Sequence, residues 1–520
     1  MNYLKVAKAT ELFGRDRIVY RLLEILPGFL SLGTLLILII FSYFKPVWVA
    51  YFVIAFNVYW LLLVIFLAIY LISAFKKLKE NKKIDWFKKC ENLKKEEKLL
   101  AGCLAVKGWS WEEVVHLVVL PTYNESLEVI RTSFNGLINN GYPSDKMIVV
   151  LAMEERVGPE AREKGEIIKR EFGHYFKRFL LSFHPDIEGE LKGKGANQAF
   201  AGKLVKKEIV DLENIDYDKI VVSVFDIDTV ASYNYFFCLT YKFLTVENPY
   251  RASYQPIPVY HNNVWRAPFF ARIASASNTF WQMMQQIRPE KLATYSSHSM
   301  TFKALVDIDF WATNMVSEDS RIFWHCFLHY NGDYRVEPLY FPVSMDATCD
   351  KNFWETAKSL YKQQRRWAWG SENVPYLVFN FLKKRKQMKK RKSLRHIWIQ
   401  IYGFHSWATS ALIIAVVGWM PMLLGGNRFN ENVMALNLPT ITQGLMTIAM
   451  LGLLISAVVS SLLLPKRPAG YGFLKNTRLF IEWIFVPVSI IFFGAIPCLD
   501  AQIRLMFGRY MGFWVTPKSR

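Results

Sequence analysis

Asp226 and Asp228 stand two residues apart, directly after the apolar run 219–225. Carboxylates at i and i+2 beyond a strand can ligate a hard divalent cation, and magnesium typically takes one or two of them together with substrate phosphates. A capped turn uses the same pattern. Upstream lies Lys192-Gly193-Lys194-Gly195-Ala196-Asn197. Its glycines let backbone approach a phosphate, and Lys194 offers point charge to a diphosphate; a solvated turn before a helix has the same composition. Ser317-Glu318-Asp319-Ser320 precedes an aromatic helical stretch. A carboxylate there could take the proton of an attacking hydroxyl, or Ser317 or Asp319 could cap the helix. Gln363-Gln364-Arg365-Arg366-Trp367 falls within 354–369, which has helical spacing. Its guanidinium offers planar donors to a leaving pyrophosphate, and its indole suits the apolar face of a sugar ring. An amphipathic interfacial helix favours the same Arg and Trp mixture.

The elements that must position these residues are apolar strands alternating with helices. The run 114–120 reads as a buried strand closed by Pro121-Thr122-Tyr123-Asn124-Glu125, with a helix from about Leu127. A second strand, 147–152, ends in Met153-Glu154-Glu155-Arg156, and the third ends in Asp226-Ile227-Asp228. Strands alternating with helices predict an α/β domain with a mostly parallel sheet covered on both faces. Ligands of such sheets bind beyond the carboxyl ends of the strands, where all three polar clusters fall.

Long apolar runs flank this domain. Residues 25–44 carry no charge over the length that crosses a ~30 Å hydrocarbon core, and 47–72 repeat the pattern, broken only by Asn57 and interfacial aromatics. The first is too deep, too long and too quickly followed by a second to be a cleaved signal peptide. Further runs occupy 398–424, 440–464 and 479–499, leaving roughly 300 residues between for a large core. The chain is 52% hydrophobic with a formal net charge of +20. Its lysines crowd 76–98 and its second basic run is 383–392, while the outer loops hold only Lys45 and Arg428. Basic residues stay untranslocated, so the middle domain is expected in the cytoplasm, with membrane lipids rather than nucleic acid as the partner of this charge. Cys90, Cys103, Cys238, Cys326, Cys349 and Cys498 show no C-x-x-C spacing, so neither a zinc site nor a disulfide framework is expected.

With these motifs in order, the chain resembles the membrane glycosyltransferases of family 2, which include cellulose, chitin and hyaluronan synthases. The match covers roughly 114–370 and the layout of spans on both sides. The resemblance implies a GT-A fold, Rossmann-like, in the cytoplasm between transmembrane helices of a multi-pass plasma-membrane protein. It also implies a divalent metal (Mg2+ or Mn2+) and a UDP-sugar donor. Carried over residue by residue, Thr122, Tyr123, Glu125, Glu154 and Glu155 hold the nucleotide. Asp226 and Asp228 hold the metal, and Asp226, Lys194 and Arg366 the diphosphate. Asp319 is the catalytic base, while Glu318, Gln363 and Trp367 face the acceptor. Phe513-Trp514-Val515-Thr516-Pro517-Lys518 is similar to the gating-loop motif of cellulose synthases, which places Phe513, Val515, Thr516 and Lys518 in a lid over the nucleotide. Glu154-Glu155 stands where the family usually has aspartate, and Ser317 replaces the threonine of T-E-D.

The expected organisation is an N-terminal segment with two spans (1–74), a basic linker (75–113), the glycosyltransferase domain (114–370), an interfacial basic helix region (371–397), C-terminal spans (398–503) and a lid-like tail (504–520). The implied activity is inverting sugar transfer to a growing polysaccharide, with a single transfer to a lipid-linked acceptor as the alternative. One conflict is built in: three crossings after a cytoplasmic domain would carry the tail outside, whereas a lid needs it inside. Pro487 and Pro497 allow a re-entrant or interfacial arrangement of the last apolar run.

Overall fold

The valine- and isoleucine-rich runs form the strands expected of them. In the computed structural model, which describes residues 2–96, 108–466, 479 and 481–517, eight strands form one sheet. They are β1 (Val115–Pro121), β2 (Met147–Glu154), β3 (Arg178–His184), β4 (Ile220–Val224), β5 (Val230–Ala231), β6 (Ala252–Val259), β7 (Ser299–Thr301) and β8 (Arg335–Ser344). Their order is β3-β2-β1-β4-β7-β6-β8-β5. β2 and β4 are buried at every position, as a sheet covered on both faces requires. Because side chains alternate, Val118, Val149 and Phe225 enter one core while Val119, Val150 and Val222 enter the other, with Trp324 and Phe323.

The sheet is mixed rather than mostly parallel throughout. β3, β2, β1 and β4 run parallel, as do β6 and β8, but β7 is antiparallel to both β4 and β6, and β5 to β8. The helix Phe269–Ile287 and the loop after it deliver the chain to β7 from the opposite end. That reversal matters locally: residues just before β7 come to lie beside the carboxyl end of β4, where Asp226 begins.

Among the described residues, four helices are long and apolar enough to cross a membrane: Gly14–Phe44, Pro46–Lys83, Val433–Leu463 and Glu482–Met506; a bent pair, Lys390–Ala415 with Val417–Leu424, would make five. Their outward faces expose Ile40, Phe41, Leu62, Phe66, Leu451 and Leu454, a surface far larger than a soluble protein leaves to water. Helix Pro46–Lys83 runs beyond the apolar stretch and docks on the α/β domain through Leu71, Ala74 and Leu78. Helix Trp86–Glu96 then packs Trp86, Cys90 and Leu93 into the first core. The core continues past residue 370, because helix Asn373–Lys384 buries Tyr376 and Leu377 in the second core and Phe379 beneath the N-terminal segment. Cys90, Cys238, Cys326, Cys349 and Cys498 are free thiols, and Cys103 lies outside the described residues.

The last apolar segment bears on the topological conflict. Glu482–Met506 is broken into a 3-10 turn, a short helix, a π-helical turn and a final helix, with Pro487 and Pro497 each opening a new piece. Both of its ends touch the α/β domain. Glu482 pairs with Arg272, and Phe485 and Phe493 lie against Phe269 and Phe270 at 5.2 and 5.1 Å. At the far end, Asp500 accepts a 2.9 Å hydrogen bond from Arg365. A segment anchored at both ends to one domain returns the tail to that domain.

Candidate active site

Asp226 leaves β4 with its two oxygens already engaged. Oδ1 lies 2.6 Å from Lys194 Nζ, and Oδ2 accepts a 2.6 Å hydrogen bond from Ser296 Oγ. Asp228 is 1% exposed; its Oδ2 accepts the Asp346 N–H at 3.0 Å, and its carbonyl accepts Asn262 Nδ2 at 2.8 Å. Lys194 opens helix Lys194–Val205, and its ammonium also lies 2.8 Å from both oxygens of Asp319 and 3.8 Å from Glu318. Gly195 makes this convergence possible: a Cβ there would stand 2.6 Å from the Ala312 carbonyl and 3.1 Å from Glu318 Cβ. Three carboxylates from two distant stretches thus share one cation.

The charges shift accordingly. Burial works against the Lys194 ammonium, but Asp226, Asp319 and Glu318 together overcome it and hold its pKa above the ordinary lysine value. Glu318 is 2% exposed. Burial first, then the neighbouring Asp319 charge, pushes its carboxyl up, against the opposing pull of Lys194 and Arg366. It faces the lysine inside the protein rather than an open surface. Asp319 lies in the first turn of helix Glu318–His329. Ser317 does not cap that helix through its side chain; its hydroxyl donates instead to Glu372 at 2.7 Å, and its N–H to the same oxygen at 3.1 Å. Glu372 is buried and also accepts the Trp369 indole N–H at 2.9 Å, so it fixes the turn that carries the SED motif.

The ends of β1 and β2 form an adjoining shelf. Glu125 accepts from the Thr122 hydroxyl at 2.7 Å and the Tyr123 N–H at 2.8 Å, which closes the turn after β1. Glu154 pairs with Arg156, whose guanidinium lies 4.7 Å over the Tyr123 ring. Tyr123 and Arg156 therefore stack on one another at the strand ends, with Glu154 buried beneath as the partner of Arg156. Glu155 turns outward to Arg162 and is not part of this group. Asn197, on the Lys194 helix, fastens the shelf by donating to the Ala152 carbonyl at 2.8 Å.

Helix Phe353–Ala368 carries the third wall. Gln363, Arg366 and Trp367 share one face by their i, i+3, i+4 spacing. Gln363 accepts from Thr348 at 2.7 Å, Arg366 lies 4.8 Å over the Phe513 ring, and Trp367 is half-buried. The tail closes the arrangement. Phe513 packs on Gly193, where a Cβ would approach its ring to 2.7 Å, and Lys362 lies 5.3 Å from the Trp514 ring. Val515 is half-buried, and Thr516 is buried with its hydroxyl lacking a protein partner. Lys518 lies outside the described residues. The tail's root is tied to the first membrane helix: Tyr510 donates to Glu24 at 2.8 Å, and Arg21 donates to the Leu505 carbonyl at 2.9 Å.

Several contributors were not visible in the sequence. Thr294 donates to the Asp319 carbonyl at 2.6 Å, Ser296 holds Asp226, and His298 is fully buried beside them. Small polar residues in a short loop carry no periodic or motif signal, and Glu372 follows an aromatic stretch that reads as packing.

The residues fit a divalent cation of one type. Among the described residues, no group of three or more His, Cys, Asp or Glu side chains is placed to enclose an ion. Asp226 supplies a hard oxygen donor at a niche that already attracts the Lys194 ammonium, and Asp228, buried two residues on, is a second carboxylate of the kind such a cation takes together with substrate phosphates.

No family model matches the chain, and no curated protein matches it by sequence. Similar solved structures include the mannosyltransferase PcManGT from Pyrobaculum calidifontis in complex with GDP-Man and Mn2+, at 13% identity over 85% of this chain and 100% of that one, with a TM-score of 0.40. They also include S. aureus TarS 1-349, at 11% identity over 67% of this chain and 91% of that one, TM-score 0.35. The same fragment in complex with UDP-GlcNAc has 13% identity with the same coverages and a TM-score of 0.31. These neighbours are glycosyltransferases; the likeness is distant and assigns no role to any residue of the site.

Proposed function

We propose that this chain is a membrane-bound, inverting glycosyltransferase that moves a sugar from a nucleotide-diphosphate donor, a UDP-sugar, to a growing glycan at the cytoplasmic face of the membrane. The convergence of Asp226 and Asp319 on Lys194 Nζ, at 2.6 and 2.8 Å, carries the reading. A cation suited to phosphate beside two carboxylates supports the metal and base roles read for them. Asp226 and Asp228 would hold the divalent cation, which when bound supplies positive charge to the diphosphate.

In this reading, donor binding draws Lys194 from Asp319 to the diphosphate, which leaves Asp319 able to accept a proton. The acceptor hydroxyl attacks the anomeric carbon, the bond from that carbon to the phosphate oxygen breaks, and the electron pair departs with the nucleoside diphosphate. Asp319 takes the hydroxyl proton as the new bond forms. Lys194 and Arg366 balance charge on the leaving group. Tyr123 and Arg156 stack the base, and the tail over Gly193 and Arg366 keeps water from the donor.

A second reading, one sugar passed to a lipid-linked acceptor, draws on a separate cleft. It opens between helix Phe269–Ile287 and the end of helix Val433–Leu463, lined by Tyr260, His261, Thr279, Phe280, Ser461 and Trp483. Such a cleft suits an amphiphile arriving from the bilayer. Purified protein in nanodiscs, offered UDP-glucose, UDP-N-acetylglucosamine or UDP-glucuronate with Mg2+ or Mn2+, should release UDP and stop on addition of EDTA. UDP release that persists in EDTA would remove the metal from the scheme, and product length separates polymer from single transfer.

A further inference from the structure

We infer that residues 294–298 form a positioning strap that sets the spacing between Asp226 and Asp319, with Ser296 as the residue that orients the Asp226 carboxylate toward its cation. The inference rests on the glycosyltransferase reading above and adds to it residues outside every sequence motif.

The strap follows from the antiparallel insertion of β7. Ser299 pairs with Ser223, and the Val224 N–H donates to the His298 carbonyl at 3.1 Å, so the residues before Ser299 run on past the end of β4. There the strap grips both halves of the site. Ser296 Oγ donates to Asp226 Oδ2 at 2.6 Å, and Thr294 Oγ1 donates to the backbone carbonyl of Asp319 at 2.6 Å. Without a donor on Oδ2 the carboxylate could rotate about its terminal torsion, which is broad and two-fold. With it, Oδ1 is directed at Lys194. Because Ser296 is neutral, it fixes the carboxylate without competing for its charge.

The strap's own conformation is held from several sides. Ser297 adopts φ +63, a region that costs a non-glycine residue free energy and persists where surroundings over-determine it. That left-handed turn lets successive residues reach different partners. Ser297 Oγ shares a 2.9 Å hydrogen bond with Thr229 Oγ1, one residue after Asp228. His298 Nδ1–H donates to the Tyr295 carbonyl at 2.9 Å, which leaves Nε2 buried without a protein partner. The Tyr295 N–H donates to Gln255 Oε1 at 2.8 Å, and its ring meets Trp281 edge-on at 4.9 Å. Five consecutive residues thus join the strand-end aspartates to the helix start that carries the base.

The test uses the full chain in nanodiscs, with Mn2+ alone titrated by the EPR signal of the free ion and activity measured against Mn2+. A hydrogen bond to a charged group is worth roughly a factor of ten or more in an equilibrium. Ser296→Ala should therefore weaken Mn2+ binding about tenfold and raise the Mn2+ needed for half-maximal turnover equally, with kcat at saturating Mn2+ little changed. Ser296→Thr, which keeps the hydroxyl, should restore both. Thr294→Val should instead lower kcat about tenfold with Mn2+ affinity unchanged, and it keeps the proposal testable if Ser296→Ala does not fold. Unaltered Mn2+ affinity in Ser296→Ala, or unaltered kcat in Thr294→Val, would overturn the strap while leaving the glycosyltransferase reading intact. Wild-type protein that binds no Mn2+, or binds it equally after Asp226→Asn, would overturn the metal reading of Asp226 and the strap's role with it.

Discussion

A single methyl group at Gly193 should lift the tail from the site. Gly193 has φ −173 and ψ −177, an extended conformation that alanine adopts without strain, so the backbone gives no reason for glycine there. The reason is Phe513: a Cβ on Gly193 would stand 2.7 Å from both its Cβ and Cγ and 3.1 Å from Cδ2. Carbon atoms pack at about 3.5–4.0 Å, so the aromatic ring must retreat by roughly 1 Å, which also pulls it from Arg366. Overpacking of this kind costs about 1–3 kcal/mol. The tail docks through Tyr510, Met511 and Phe513 on the cluster of Val316, Ala368 and Trp369, so the cost should fall on that docking and reduce the docked population by about 5- to 150-fold, at about 1.4 kcal/mol per tenfold. In Gly193→Ala, chymotrypsin should cleave after Phe513 or Trp514 faster by that factor, kcat/KM for the donor should fall, and a larger share of donor should be hydrolysed. The Tm should hold. Adding Phe513→Ala should make the Gly193 substitution nearly silent, as a double-mutant cycle on touching residues requires. Unchanged cleavage and unchanged kcat/KM in Gly193→Ala would show that the tail does not dock as a lid.

Other perturbations address the charges. At an effective dielectric of 20, each contact of Lys194 with Asp226 or Asp319 is worth about 6 kcal/mol of Coulomb attraction before desolvation. Lys194→Met leaves the carboxylates without their cation and should destabilise the fold by about 3–5 kcal/mol. Mn2+ should recover part of that loss in thermal unfolding, because a divalent ion can replace the ammonium; no Mn2+-dependent recovery would contradict the shared niche. Glu318 concerns pH. Its carboxyl is raised above the ordinary 4.5, so between that value and the raised one the folded chain holds a proton that the unfolded chain has lost. The associated stability is complete below the ordinary value and disappears as pH rises through the raised one, at no more than about 1.4 kcal/mol per pH unit. Glu318→Gln should flatten this part of the Tm–pH curve, and an unaltered slope would show that Glu318 is not the group responsible.

The sequence makes legible whatever repeats or follows a strand. β1, β2 and β4 are continuous apolar runs, so the clusters at Thr122, Glu154 and Asp226 fall at strand ends before any coordinates are known. The long apolar helices are equally plain. What pairing decides is hidden: β7 has only three residues, and its antiparallel entry, which creates the strap beside Asp226, has no signature in Ser299, Met300 and Thr301. Burial of single polar residues is hidden for the same reason. Glu318 and Asp319 are adjacent acids in sequence, yet only the first is buried, against the helix start at Gly195. Composition also says nothing of what holds the ends of an apolar segment: Glu482–Met506 passes every test of length and hydropathy, and its pairing with Arg272 and Arg365 of the α/β domain has no sequence signal.

Asp319 is where the chemistry is placed, and replacing its carboxylate by an amide of nearly the same shape interrogates that directly. Single-turnover sugar transfer by Asp319→Asn in nanodiscs, with saturating UDP-sugar and Mn2+, should fall by about 10²–10⁴ while Mn2+ binding persists. Transfer at the wild-type rate would contradict the assignment of Asp319 as the base.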